Sequence, residues 1–143
     1  MVNQNPQPEL YTTRHAFTTS ATTGTVDTVQ IYTNQSFNEE VRIYGLMITA
    51  VDVNGNELTY AGSADVRNFS VSLQAGPNRI PSSSMDGGRI LRAQDRTLAF
   101  SSPVLILHRQ PLQVTVEWTG TSSPSANLTF VVSLISEMYI REE

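Results

Sequence analysis

In the last third of this chain, apolar residues recur at every second position. Leu112, Val114, Val116 and Trp118 alternate with Gln113, Thr115, Glu117 and Thr119. Leu128, Phe130, Val132 and Leu134 then alternate with Thr129, Val131, Ser133 and Ile135. A period of two puts one set of side chains on one face of a strand, whereas a helix needs a period near 3.6. This predicts two long strands, each with a face to bury. A chain built from such strands needs a second sheet, or its own closure, to cover that face.

The same period runs through much of the sequence. Val29 and Ile31 alternate with Thr28 and Gln30, and Phe69, Val71 and Leu73 alternate with Ser70, Ser72 and Gln74. The run from Val41 to Val53 is apolar on both faces: Val41, Ile43, Met47 and Val51 on one, Tyr44, Leu46 and Ile48 on the other. It reads as a strand covered on both sides, in a sandwich centre or at a subunit contact. Gly45 in its middle predicts a bulge or a close backbone approach. Asn54-Gly55 predicts a type I′ hairpin turn returning into Glu57–Tyr60. Gly76-Pro77-Asn78 reads as a turn and residues 81–88 as a loop. Ile90-Leu91 and Leu98–Phe100 read as short strands. Met85–Gln94 is the one stretch with a conceivable helix, and Gly87-Gly88 weakens it. About eight strands in 143 residues, with no repeat of 20–50 residues, predict an all-β antiparallel sandwich, a jelly roll or a barrel, in one domain.

Residues 1–24 are poor in apolar groups and rich in Asn, Gln, Pro and Thr. They read as an extended N-terminal arm ahead of a sandwich over 25–143. Leu10, Tyr11, Arg14 and Phe17 are its candidate contact residues. The start has no basic and apolar leader pattern, so no secretory signal is expected. The longest apolar runs fall far short of the ~20 residues of a membrane helix, so no membrane partner is expected.

Composition narrows the function classes. The chain has no cysteine, which removes disulfides, thiol catalysis and thiolate metal sites. All nine basic residues are arginine, and the net charge is −4. No basic stripe of the kind that binds nucleic acid is visible. Two histidines, His15 and His108, lie far apart in sequence and suggest neither a metal cluster nor a catalytic triad. Asp27, Glu40, Asp52 and Glu117 sit among strand residues as solvated carboxylates rather than as a glycosidase pair. Asp52-Val53-Asn54-Gly55-Asn56-Glu57 lacks the glycine at the sixth position of a calcium loop. No catalytic residue, metal or cofactor is therefore assigned. Trp118 continues an inward face and reads as core.

The segment from Ser102 to Trp118, Ser-Pro-Val-Leu-Ile-Leu-His-Arg-Gln-Pro-Leu-Gln-Val-Thr-Val-Glu-Trp, pairs an apolar strand with a proline turn and a Leu-x-Val-x-Val strand. With the flexible loop and final apolar strand that follow, it resembles the closing strands of small single jelly-roll virion proteins of bacteriophages: capsid, head-decoration or fibre-base subunits. The polar N-terminal stretch and the lysine-free surface are similar. The resemblance implies a subunit without catalysis. Its partners would be copies of itself and other virion proteins, and its place the virion, after assembly in the host cytoplasm. A family of this kind works through interface residues. The candidates here are the four arm residues, Tyr44, Leu46 and Ile48 of the two-faced strand, and Arg89 and Arg92 in the charged segment 86–96. Arginine suits such contacts because its planar fork makes bidentate ion pairs. The alternative is a carbohydrate-binding β-sandwich module of an extracellular or cell-surface protein, which would need exposed aromatic rings.

Overall fold

A computed structural model describes residues 7–32, 39–75, 78–93, 95–106 and 110–140. They form nine strands and one short helix: β1 (Gln7–Phe17), β2 (Val26–Ile31), β3 (Glu39–Asp52), β4 (Glu57–Leu58), β5 (Phe69–Ala75), β6 (Asn78–Asp86), α1 (Gly87–Arg92), β7 (Thr97–Ile106), β8 (Leu112–Trp118) and β9 (Leu128–Ile140). A 3₁₀ turn, Ala64–Arg67, precedes β5. All pairings are antiparallel.

One sheet has the order β1-β9-β3, with β7 and the short β4 sharing the far edge of β3; the other has the order β2-β8-β5-β6. The pairs β1/β9, β2/β8, β3/β7 and β5/β6 nest inside one another along the chain. That is one long antiparallel hairpin rolled into two facing sheets, the jelly roll. The inward faces interleave into one core. It holds Ile43, Leu46, Ile48, Phe69, Val71, Leu73, Leu112, Val114, Val116, Trp118, Phe130, Val132 and Leu134, all essentially inaccessible. The Phe69 and Phe130 rings stack across it with centroids 4.0 Å apart, and Phe17 meets Phe130 edge-on at 5.8 Å. Trp118 is core as expected, and its indole Nε1–H donates to the Ser122 carbonyl at 3.0 Å.

Several expectations are corrected. Residues 7–17, expected to belong to an arm, are β1 and pair without a break along β9 from Gln7–Met138 to Phe17–Leu128. Thr13, His15 and Phe17 point into the core, so the polar composition of this stretch concealed an inward face. Residues 1–6, 76–77 and 107–109 lie outside the described residues, and with them the start of the expected arm, the Gly76-Pro77 turn and His108. Residues 81–86 belong to β6 and Ile90-Leu91 to α1. The hairpin after β3 is not type I′, because Gly55 has positive φ (83°) and Asn54 does not. Gly55 N–H donates to Asp52 O at 3.1 Å, and Asp52 N–H to Asn56 O at 2.9 Å, closing a three-residue loop with glycine at its left-handed position.

The bulge expected at Gly45 is present, and it changes which side chains are inward. Ile43 pairs with Ser136 and Gly45 with Ile135, so Tyr44 is one extra residue in β3. Before it, Val41 and Ile43 face the core; after it, Leu46, Ile48 and Ala50 do. Val41 and Ile43 from one of the faces read from the sequence, and Leu46 and Ile48 from the other, therefore share one inward face across a change of parity, which leaves Tyr44 and Met47 outward. Gly45 itself lies against the Leu98 carbonyl of β7, and a Cβ there would fall inside contact distance of that oxygen. Replacing Gly45 with alanine should cost about 1–3 kcal/mol of unfolding free energy. Urea denaturation followed by tryptophan fluorescence would measure it, and an unchanged midpoint would show that β7 yields freely.

Candidate assembly surfaces and the seam between sheets

The outward face of the β1-β9-β3-β7 sheet carries the most apolar exposure on this side of the molecule. Leu10 on β1 is 67% exposed, Ile135 on β9 41%, Met47 on β3 37% and Leu105 on β7 45%. Leu10 stands opposite Ile135, Ile135 opposite Gly45, Met47 opposite Ser133 and Leu105 opposite Arg42, so the exposed groups form a staggered band, one from each strand, with Met47 and Leu105 at different levels along β3. Polar groups are interspersed: Thr12 and Ser133 share a hydroxyl contact of 3.3 Å, and Arg14 lies opposite Val131.

At one end of this band is a built polar cluster. Arg42 Nη2–H donates to Glu40 Oε1 at 2.7 Å, and its guanidinium lies 4.2 Å from the centre of the Tyr139 ring. The Tyr44 and Tyr139 hydroxyls meet at 2.6 Å. Burial, followed by that hydrogen bond, raises the Tyr44 phenol above its ordinary pKa. The hydrogen bond to Glu40 raises that of Arg42. The bulge places Tyr44 within reach of Tyr139.

The sequence candidates divide accordingly. Leu10, Arg14 and Tyr44 lie on this outward face. Tyr11 points inward and packs on the core. Phe17, Leu46 and Ile48 are buried within the chain's own core, which corrects their assignment to a subunit contact. Arg89 and Arg92 are exposed on α1, away from this band. Gly87 and Gly88, read as the end of the 81–88 loop, begin that helix. A Cβ on Gly87 would enter the Phe69 ring, and one on Gly88 would press on the Arg67 carbonyl, so both glycines let α1 seat against the sandwich.

The edges of the sheets also differ. On one side, β6 and β7 each carry an irregularity containing a proline, Pro81 and Pro103, in the stretches where their registers shift. Proline and bulges interrupt the row of free backbone groups that would recruit another strand. A cavity of about 430 Å³ opens beside α1, lined by Met85, Ile90, Ala93 and Leu98 among others. On the other side, β1 and β2 run without register shifts.

The β1/β2 side is tied by a buried histidine that sequence reasoning left without a partner. His15 is 0% exposed. Its Nδ1 lies 3.0 Å from Asp27 Oδ2 and 3.1 Å from Asp27 O, and its Nε2 lies 2.7 Å from Thr13 Oγ1. A backbone carbonyl only accepts, so Nδ1 carries the proton and Nε2 accepts from the Thr13 hydroxyl. The neutral ring is thereby fully bonded, and it links the first sheet to the second. Hydroxyl, imidazole and carboxylate follow the order of a nucleophilic triad, but Thr13 is 2% exposed and no substrate reaches it. The signal available in the sequence was Asp27 itself, in the same alternating register as Val29 and Ile31. The Asp27 carboxylate stays 41% exposed, so it is the buried imidazole that needs the partner.

Desolvation lowers the His15 pKa below its ordinary value, against an opposing pull from Asp27. The folded chain therefore binds its proton less readily than the unfolded chain. Where the unfolded histidine takes up a proton and the folded one does not, acidification favours unfolding. Stability should be level above about pH 7 and fall as the pH drops through 6.5, by at most about 1.4 kcal/mol per unit from this group. Urea midpoints between pH 8 and 5 measure it. His15→Gln should flatten the part of the profile near pH 6.5; an identical slope in that variant would assign the effect to other groups.

No family model matches this sequence, and no curated protein matches it. Among solved structures, the chain is similar to one from the virus-like particle of the extra small virus of the giant freshwater prawn Macrobrachium rosenbergii. The identity is 10%, the TM-score 0.34, and 95% of this chain and 81% of that one are covered. It is also similar to a chain of turnip yellow mosaic virus, at 9% identity and TM-score 0.29, covering 97% of this chain and 84% of that one. A third similarity is to the insecticidal delta-endotoxin Cry8Ea1 of Bacillus thuringiensis, at 10% identity and TM-score 0.32, covering 95% of this chain and 20% of that one. At TM-scores this low, no function is transferred from these proteins to this chain.

Proposed function

We propose that this protein is a non-enzymatic structural subunit of a virion, which associates with copies of itself and with other virion proteins. The finer reading is a bacteriophage shell, head-decoration or fibre-base subunit. The observation that carries it is the apolar band of Leu10, Ile135, Met47 and Leu105. One sheet is fully packed on its inner face and still presents four large exposed apolar side chains on its outer face. Such a face is stabilised when another surface covers it, and a second copy is the partner available at equal concentration. The jelly-roll order suits the role, since a rigid two-layer body can be repeated by symmetry. The Glu40–Arg42–Tyr139–Tyr44 cluster would supply a polar margin to the contact, with Arg14 on the opposite flank.

A sugar-binding module is less well supported. The two outward tyrosines next to the band spend their hydroxyls on each other, and Arg42 covers one ring. Trp118 is sealed in the core.

Light scattering after size exclusion, over a concentration range, tests the proposal. A closed oligomer is expected, and Ile135→Asp should weaken its association at least about tenfold while circular dichroism stays unchanged. A chain that is monomeric throughout, or an oligomer indifferent to charge at both Ile135 and Met47, would overturn this face as the contact.

A further inference from the structure

We propose that the cleft between α1 and the 3₁₀ turn is a binding site for a phosphate group. Tyr60, Arg67, Asp86, Gly88, Arg89 and Arg92 line a small cavity of about 120 Å³ there. Three arginines and one aspartate thus share the lining of one cleft, in a chain whose net charge is −4. Asp86 is already engaged, because its Oδ1 accepts the Gly88 N–H at 3.1 Å. Elsewhere Arg42 and Arg96 pair with Glu40 and Glu57, but among the described residues none of these three arginines has a carboxylate within ion-pair distance. Positive charge here exceeds the one negative charge beside it.

The arrangement is also held in place. Arg67 is fixed by donating from Nε to Tyr60 O at 2.9 Å and from Nη2 to Ala61 O at 3.3 Å. Its guanidinium lies 5.1 Å from the centre of the Tyr60 ring, and that of Arg92 lies 5.7 Å from the same ring. One aromatic ring thereby steadies two cations that would otherwise repel. Arg89 and Arg92 are three residues apart on one helix and so share a side of it. Gly88, lying against the Arg67 carbonyl, sets how near the helix comes.

The chemistry favours a compact oxyanion with several acceptor oxygens. Guanidinium forks match phosphate geometry, and a dianion answers three positive charges beside one negative. The cavity has room for one such group. That group could be free phosphate or one phosphodiester of a nucleic acid lying across the surface.

Nuclear magnetic resonance titration with sodium phosphate, at ionic strength held constant with chloride, tests this. Saturable shifts of the Gly88 amide and the Arg67 and Arg92 Nε–H signals are expected. Arg89→Gln with Arg92→Gln should weaken binding about tenfold or more. The doubly lysine-substituted protein, which keeps the charge without the forks, should fall between. Absence of saturation, or equal binding by the glutamine variant with its circular dichroism intact, would overturn the site. Acetate binding as tightly as phosphate would overturn the preference for a phosphate. A short single-stranded oligonucleotide forms the second arm. Tighter binding with the same arginine dependence would identify nucleic acid as the source; oligonucleotide binding that survives both substitutions would leave the site to free phosphate.

Discussion

β3 is hydrogen-bonded on both flanks, to β9 on one side and to β7 and β4 on the other, and it faces the core over fourteen residues. A strand fixed from both sides cannot slip, because a one-residue slip would exchange its faces. Its apolar pattern nonetheless changes parity at residue 44. The structure reconciles the two by giving Tyr44 no partner of its own and letting Gly45 close on the Leu98 carbonyl. The inward face of the sheet, the outward position of Tyr44 and the contact between Tyr44 and Tyr139 all follow from that single added residue.

The two seams of the sandwich are closed by different chemistry. At β1/β2 the closure is polar: a neutral imidazole is satisfied by the Asp27 carboxylate and a threonine hydroxyl. At β6/β7 the strand edges are broken by prolines, and α1 packs beside them. The polar seam has direction and a fixed set of partners, so it specifies how the first strand lies relative to the second. The other seam relies on contact and leaves an open apolar cavity.

What was legible in the sequence was whatever followed an unbroken period of two. β8 and β9 keep that period throughout, and their burial alternates as expected. β1 was hidden because two of its inward residues are Thr13 and His15, whose polarity is cancelled only by each other and by Asp27, twelve residues on. β6 was hidden because its serines carry no alternation. α1 is six residues long, less than two turns, so a helical period cannot show. Leu46 and Ile48 were given to a subunit contact because a bulge cannot be distinguished from a two-faced strand without knowing the partners. Of the outward face, Leu10, Arg14 and Tyr44 were legible. Met47, Leu105 and Ile135 were not, since an apolar residue on a strand gives no sign of which side is wet. The arginine cleft was half legible: Arg89 and Arg92 were visible as a cluster, while Arg67 and Tyr60 reach it only through the fold.

The nested pairing has a consequence for how the chain reaches this state. β9 lies between β1 and β3, so the last of the described strands in chain order is an interior strand of the first sheet. Until it arrives, β1 has no neighbour in its sheet, and β3 lacks its longer flank. Five of the seven pairings among the described residues join distant parts of the sequence, which places such a chain among slow, millisecond-to-second folders. During synthesis β1 must wait, unpaired in its sheet, until β9 has emerged. Its high content of threonine, glutamine and charged residues, which conceals it as a strand, also keeps it soluble during that wait.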